Sequence, residues 1–204
     1  MRRSIHRLIP LLLVLLAAPA GPARACINGT LQATDGWTWE VQKAEKSLAL
    51  GDHATAALRV IELFPAVMGD TVPTERAGLF ERSRRVLALA IARAGGRFIR
   101  AEIARDAALV WAVKVLQARH QADLDDPLRA ADLAEALALV PTGREQAYAL
   151  LAELARADLM PDPRGWAVLG ALARSLGRLE IGRIAANHCH QTASQGWLCN
   201  VPLA

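Results

Sequence analysis

The chain reads as all α, built of antiparallel helix pairs, on three observations. From Trp39 onward apolar residues recur at helical spacing, no stretch alternates polar and apolar residues with β-branched enrichment, and helix-ending residues punctuate the pattern at short intervals.

The first helix is predicted over 39–50, closed by Gly51 and Asp52, and the second over 54–64, stopped by Pro65. Gly69 and Asp70 separate these from a third over 74–94, which Gly95 and Gly96 end. A fourth segment, 99–122, is long enough for two helices and runs up to Asp125, Asp126 and Pro127. The fifth, 127–139, is ended by Pro141, Thr142 and Gly143, and the sixth, 144–157, by Pro161, Asp162 and Pro163. The seventh, 163–176, leads through Gly177 into an eighth over 179–188.

A chain of 204 residues suffices for one domain with a sizeable core. With 53% apolar residues and three cysteines it is neither collagen-like, nor a disordered tail, nor a disulfide-dense mini-protein.

The N-terminus has a separate logic. Residues 1–7 carry three arginines, 8–18 are Leu, Ile, Val and Ala apart from Pro10, and 19–25 are mostly small or helix-breaking, ending Ala23, Arg24, Ala25. These are the three regions of a secretory signal peptide, and the apolar run falls short of the roughly 20 residues that a membrane helix needs. Cleavage is expected after Ala25, leaving Cys26 at the mature N-terminus. Ala-x-Ala fits ordinary signal peptidase. The site also resembles in part the lipobox of bacterial lipoproteins, in which Cys26 would carry the lipid, although Ala23 and Arg24 depart from that pattern. The organisation is therefore a signal peptide over 1–25, an extended segment over 26–38, a helical domain over 39–190 and a tail over 191–204. The Ala, Leu and Arg richness and the short signal favour a bacterial envelope protein, exported to the periplasm or medium, or anchored there by lipid.

The net charge of +4 belongs to this leader. Residues 1–25 hold four of the 24 basic residues and none of the 20 acidic ones, so the remainder is balanced at twenty of each. Nucleic acid is not expected as a partner.

Small residues precede glycine by seven positions at Ala44 and Gly51, Ala88 and Gly95, Ala136 and Gly143, and Gly170 and Gly177. Antiparallel helices need a small residue where they approach, and glycine lets the chain leave a helix in the left-handed region. Trp166, Leu169, Gly170 and Ala173, followed by Gly177 and Gly182, resemble the tetratricopeptide repeat, and the last two glycines of the seven-residue pairs are 34 residues apart. The first unit, Ala44 through Gly51 and Ala56 to Pro65, keeps the small positions without the Trp and Leu, and the central glycine spacings of 44 and 48 residues depart from the family period. The resemblance covers 39–189. It implies a tetratricopeptide-repeat-like α-solenoid that binds a protein or peptide on the concave surface of its inner helices.

Cys189 and Cys199 have nine residues between them, and an exported protein meets an oxidising compartment. A disulfide between them would tie the tail to the last helix and contribute roughly 2.5 to 3 kcal/mol in the chain-entropy account. Cys26 paired with Cys189 or with Cys199 are the competing connectivities. His188, Cys189, His190 and Cys199 are the one cluster of metal-ligand types, suited to zinc or copper by chemistry but lacking C-x-x-C or H-x-x-x-H spacing. His53 and His120 are solitary, each near a helix end, where a dipole or capping role suffices.

No phosphate loop, Gly-x-Ser-x-Gly elbow or His-Glu-x-x-His is present. Glu135 with Glu153 could form a carboxylate pair, yet nothing selects them over a solvated face. Arg76, Arg82, Arg84, Arg85, Arg93, Arg97, Arg100 and Arg105 form a basic run, and Asp123, Asp125, Asp126, Asp132 and Glu135 an acidic one. Such runs are solvated faces, mutual partners between adjacent repeats, or a polarised groove. Trp111 and Trp166 are expected in packing, and Trp37 in holding the N-terminal segment against the first helix.

The function these features imply is a non-catalytic protein-interaction scaffold or adaptor of the bacterial cell envelope. No cofactor is expected, and membrane contact only through a lipid on Cys26. The alternative is a metal- or small-ligand-binding protein using His188, Cys189, His190 and Cys199. An envelope hydrolase framed by the helices is the third reading, with no nucleophile, base and oxyanion donor in a recognisable order.

Overall fold

In the computed structural model of the chain, which describes residues 36–96, 104–201 and 203, short-range chemistry sets three of the helix starts. Asp52 accepts a hydrogen bond from the Thr55 N–H and starts α2 (His53–Leu63). Asp126 does the same for the Leu128 and Arg129 N–H groups ahead of α5 (Pro127–Leu137), and Asp162 for Gly165 ahead of α7 (Pro163–Ser175). In α5 and α7 proline occupies the first turn, where no backbone donor is needed. The other helices are α1 (Gly36–Ala49), α3 (Ala77–Arg93), α4 (Arg105–Gln121), α6 (Arg144–Arg156) and α8 (Leu179–Thr192), with 3₁₀ turns at Pro141–Gly143 and Gly196–Cys199. Among the described residues there is no strand.

Four boundaries differ from expectation. Helix α1 begins at Gly36, so Trp37 and Thr38 are helical rather than part of an extended segment. Helix α3 starts at Ala77, not at position 74, because Arg76 sits in the left-handed region at φ 61°. Helix α4 is one unbroken helix from Arg105, and α8 continues to Thr192. The signal peptide, the Ala25 cleavage site, a lipid on Cys26, residues 26–35 and the 99–103 part of the fourth segment lie outside the described residues.

Every helix packs on its neighbours in sequence, α1 with α2 through to α7 with α8. In addition α1 packs on α3, α3 on α5 and α5 on α7, whereas no two even-numbered helices pack together. The odd-numbered helices are therefore the spine. Residues 86–92 of α3, 130–137 of α5 and 167–173 of α7 are buried without a break, which a helix can be only when covered on all sides. Helices α1, α4, α6 and α8 bury a single stripe each.

Small residues let the spine close. Ala44, Ala88 and Ala136 are fully buried, and a Cβ on Gly170 would come within 3.3 Å of the Gly182 carbonyl oxygen and the Ala186 nitrogen across the α7–α8 contact. Gly51, Gly95 and Gly177 leave their helices at φ 82°, 66° and 75°, as the spacing predicts. Gly143 differs. Its φ is −93°, and glycine is required there because a Cβ would sit 2.7 Å from the Leu137 carbonyl oxygen.

Candidate functional site

Two carboxylates one helical turn apart organise the spine. Asp132 and Glu135 of α5 are both buried, which costs free energy unless each is paired and hydrogen-bonded. Arg85 of α3 grips Asp132 with two bonds, Nε to Oδ2 at 2.5 Å and Nη2 to Oδ1 at 3.0 Å. Arg93, two turns further along α3, donates to Glu135 at 3.0 to 3.2 Å, and Arg164 of α7 reaches the same carboxylate. Arg82 pairs with Glu45 of α1 at 2.7 and 3.0 Å. Ion pairs thus run α1 to α3 to α5 to α7.

The two buried carboxylates titrate in opposite senses. Burial pushes Glu135 up, but Arg93 and Arg164 together overturn it and hold the group at about 2. Burial raises Asp132 as well, and there one guanidinium, Arg85, does not undo it. His53, at the start of α2, is lowered by burial and then by Arg93 and Arg164, and its Nε2 is buried without a hydrogen-bond partner.

Of the readings of the two charge runs, mutual partnership describes Arg82, Arg85 and Arg93 with Glu45, Asp132 and Glu135. Sequence reasoning missed Arg164 and the register of the pairs. The available signal was geometric: Arg82, Arg85 and Arg93 share one stripe of a helix, as do acids at i and i+3. Glu153 is exposed and Glu135 buried, so they do not form a working carboxylate pair.

At the C-terminus the sulfurs of Cys189, buried in α8, and Cys199 are bonded, with S–S 2.00 Å and Cα atoms 5.8 Å apart. His188 lies flat on the Trp166 ring, centroids 4.5 Å apart, and His190 is exposed. The structure brings the two cysteines together and leaves the histidines out. Among the described residues no three His, Cys, Asp or Glu side chains are placed to hold a metal ion.

The tail then crosses the spine. The 3₁₀ turn Gly196–Cys199 packs on α7 and α8, and the Trp197 ring lies so close to the α1–α2 turn that a Cβ on Gly51 would be 3.0 Å from it. Leu198 completes a cavity of about 250 Å³ with Leu48 and Ala49 of α1, Leu89 and Arg93 of α3, and Arg164 of α7. Val201 and Leu203 pack against the core beyond it.

On the other layer a second cleft stays open. Tyr148 and Ala152 of α6 face Ile181 and Ile184 of α8 across a groove of about 390 Å³ floored by Trp166 and Leu169. Arg178 closes one end, its guanidinium 3.9 Å from the Tyr148 ring centre and 3.3 Å from Glu145. Arg156 and His188 stand at the other end, and Ile181 and Ile184 are 40% and 44% exposed.

Trp111 and Trp37 are structural, whereas Trp39 is 53% exposed. Trp111 donates from Nε1 to the Met68 carbonyl at 3.0 Å, tying the 64–76 connection to α4. Trp37 packs on Phe64 at 5.2 Å, with the Arg76 guanidinium 4.5 Å over its ring.

No protein-family model matches the chain, and no curated protein and no solved structure matches it.

Proposed function

We propose that the protein is a non-catalytic interaction scaffold of the bacterial cell envelope, a tetratricopeptide-repeat-like α-solenoid of four helix pairs that is exported and binds a helical segment of a partner protein. The observation that carries this reading is the open α6–α8 groove. It is apolar along its walls and floor, Ile181 and Ile184 stand exposed side by side on one wall with Trp166 and Leu169 beneath them, and the flanking helices leave it unfilled. A helix laid there would offer side chains at i, i+3 and i+7, the spacing at which such grooves are read.

Packing between sequence neighbours supports a repeat array, in which each unit buries its face on the next. The Cys189–Cys199 bond suits an oxidising compartment, and no described helix is long and apolar enough to cross a membrane. The metal-binding alternative has lost its donors, since both thiolates are spent on each other and His188 is stacked on Trp166. Catalysis by Glu135 is disfavoured because a sealed carboxylate held at about 2 is a poor base near neutrality.

The test is partner capture by the exported protein, using a photo-crosslinking residue in place of the exposed Arg156 at the groove end, with and without the pair Ile181→Asp and Ile184→Asp. One crosslinked partner that the double variant no longer captures, at an unchanged melting temperature, is the expected outcome. Capture that survives the double variant would move the partner site elsewhere.

A further inference from the structure

The cleft between α1, α3 and the start of α7 is roofed by the chain's own tail, through Leu198. We propose that this cleft is a second docking site, for an extended, uncharged, apolar segment, that Trp197 and Leu198 of the tail cover it as a resident stand-in, and that reduction of Cys189–Cys199 opens it. The inference rests on the interaction role proposed above but not on the α6–α8 groove.

The tail is laid over the body rather than built into it. None of the residues Gly196–Cys199 is buried, and Trp197 keeps 37% of its surface exposed while its ring touches Gly51. Its described backbone hydrogen bonds are all local: Ala193 to Cys189, Leu198 to Gln195 and Asn200 to Trp197. Its attachment to α1 and α3 is therefore side-chain contact, chiefly Trp197 and Leu198, with one covalent bond to α8.

The chemistry of the occupant follows from the walls. The charged groups around the cleft are already engaged: Arg82 with Glu45, Arg85 with Asp132, Arg93 and Arg164 with Glu135, and Asp162 with the Gly165 N–H that it caps at the start of α7. A charged ligand side chain would have to break one of these pairs or draw Asp162 from its helix cap, whereas an uncharged one needs only the apolar surface of Leu48, Ala49 and Leu89. Residues 193–203 fit that demand, for they contain no Asp, Glu, Lys or Arg. An incoming segment is selected by the same rule. It would present a bulky ring and a neighbouring aliphatic side chain, as Trp197 and Leu198 do.

The disulfide decides whether the cleft is available. With the bond intact, the strap springs from a ring closed across ten residues and has few alternatives to lying where it does. A dithiol supplies two electrons and two protons, leaving thiols at Cys189 and Cys199 and a disulfide in the reductant. Removing a ring constraint of this size favours the open strap by roughly a hundredfold. After that, a competing segment has to displace side-chain packing alone, that of Trp197, Leu198, Val201 and Leu203.

The probe is a fluorescent peptide spanning residues 193–203 with Cys199→Ser, titrated into the full chain carrying Cys26→Ser so that mispairing cannot occur. Binding to the chain treated with dithiothreitol, and to the Cys189→Ser with Cys199→Ser variant, is expected to be at least tenfold tighter than to the oxidised chain. The exposed Ala49 changed to Arg should abolish it without lowering the melting temperature. Where the reduced chain loses its fold, the oxidised chain carrying Trp197→Ala and Leu198→Ala replaces it, with the same expected gain. Equal affinity in oxidised and opened chains, or binding indifferent to Ala49→Arg, overturns the proposal. Crosslinking through position 156 is unaffected in either case, so this failure is separate from failure of the α6–α8 groove.

Discussion

The buried face of α5 and the groove between α6 and α8 are two arginine-bearing surfaces of one helical fold that have resolved their polarity in opposite ways. On α5 the guanidinia of Arg85, Arg93 and Arg164 are spent on Asp132 and Glu135 inside the spine. In the groove no carboxylate stands among the lining residues, Arg156 donates only to the Ala152 carbonyl, and the apolar wall is left wet. The difference separates the framework from the surface proposed for recognition. Charge sealed among helices fixes how they meet, whereas surface left uncovered is what a partner can use.

The sharpest way to break this comparison is Glu135→Gln. It removes the shared anion from between Arg93 and Arg164 and leaves two poorly solvated cations facing each other, so a loss of about 3 to 5 kcal/mol is expected in urea unfolding. A loss below about 1 kcal/mol would show that water reaches the site, and the framework role would fall.

Acid titration of stability tests the same face more gently. Glu135 has its pKa lowered from 4.5 to about 2, so in that window the unfolded chain binds more protons than the folded one, and stability falls as pH drops. Asp132 is raised above 3.8, takes its proton earlier in the folded chain and works the other way. The wild-type acid limb should therefore be steep, and that of Glu135→Gln shallow or reversed, as read by melting temperature from pH 5 downward. His53, lowered from 6.5, adds a gentler loss as pH falls below that value.

Asp132→Asn is expected to cost less than Glu135→Gln, about 1 to 2 kcal/mol. Burial already disfavours the Asp132 charge, and its partner Arg85 keeps 23% of its side chain in solvent and can hydrate. An equal loss in the two variants would mean that a guanidinium count does not distinguish the sites. Least affected of all should be Ile181→Asp with Ile184→Asp, within about 0.5 kcal/mol of wild type by thermal melt. A larger drop would make the groove wall part of the core and remove it as a recognition surface.

Much of this contrast was legible locally. The Asp and Pro residues at 52, 126, 127, 162 and 163 mark real helix starts, since a cap acts within three residues of its own position. Gly51, Gly95 and Gly177 mark real exits. Where the local rule failed, the cause was tertiary: Arg76 takes a left-handed conformation beneath which Trp37 packs, and Gly143 yields space to the Leu137 carbonyl rather than turning the chain. The cysteine pair was one of three connectivities by sequence and is the pair bonded in the structure. The candidate sites were harder. Trp166 reads as packing, and only the position of α8 shows that it floors a groove.

The sequence by itself determined that the chain is helical, where most helices begin and end, and which small residues lie where helices close up. Periodicity, caps and turn residues act over one or two turns, and that information is written contiguously. Tertiary structure alone decided that Arg85 meets Asp132, 47 residues away, that Arg93 and Arg164 converge on Glu135, and that the tail comes to rest beside Gly51. These depend on how far each helix slides and turns against the next, a register set by the packing of many side chains at once.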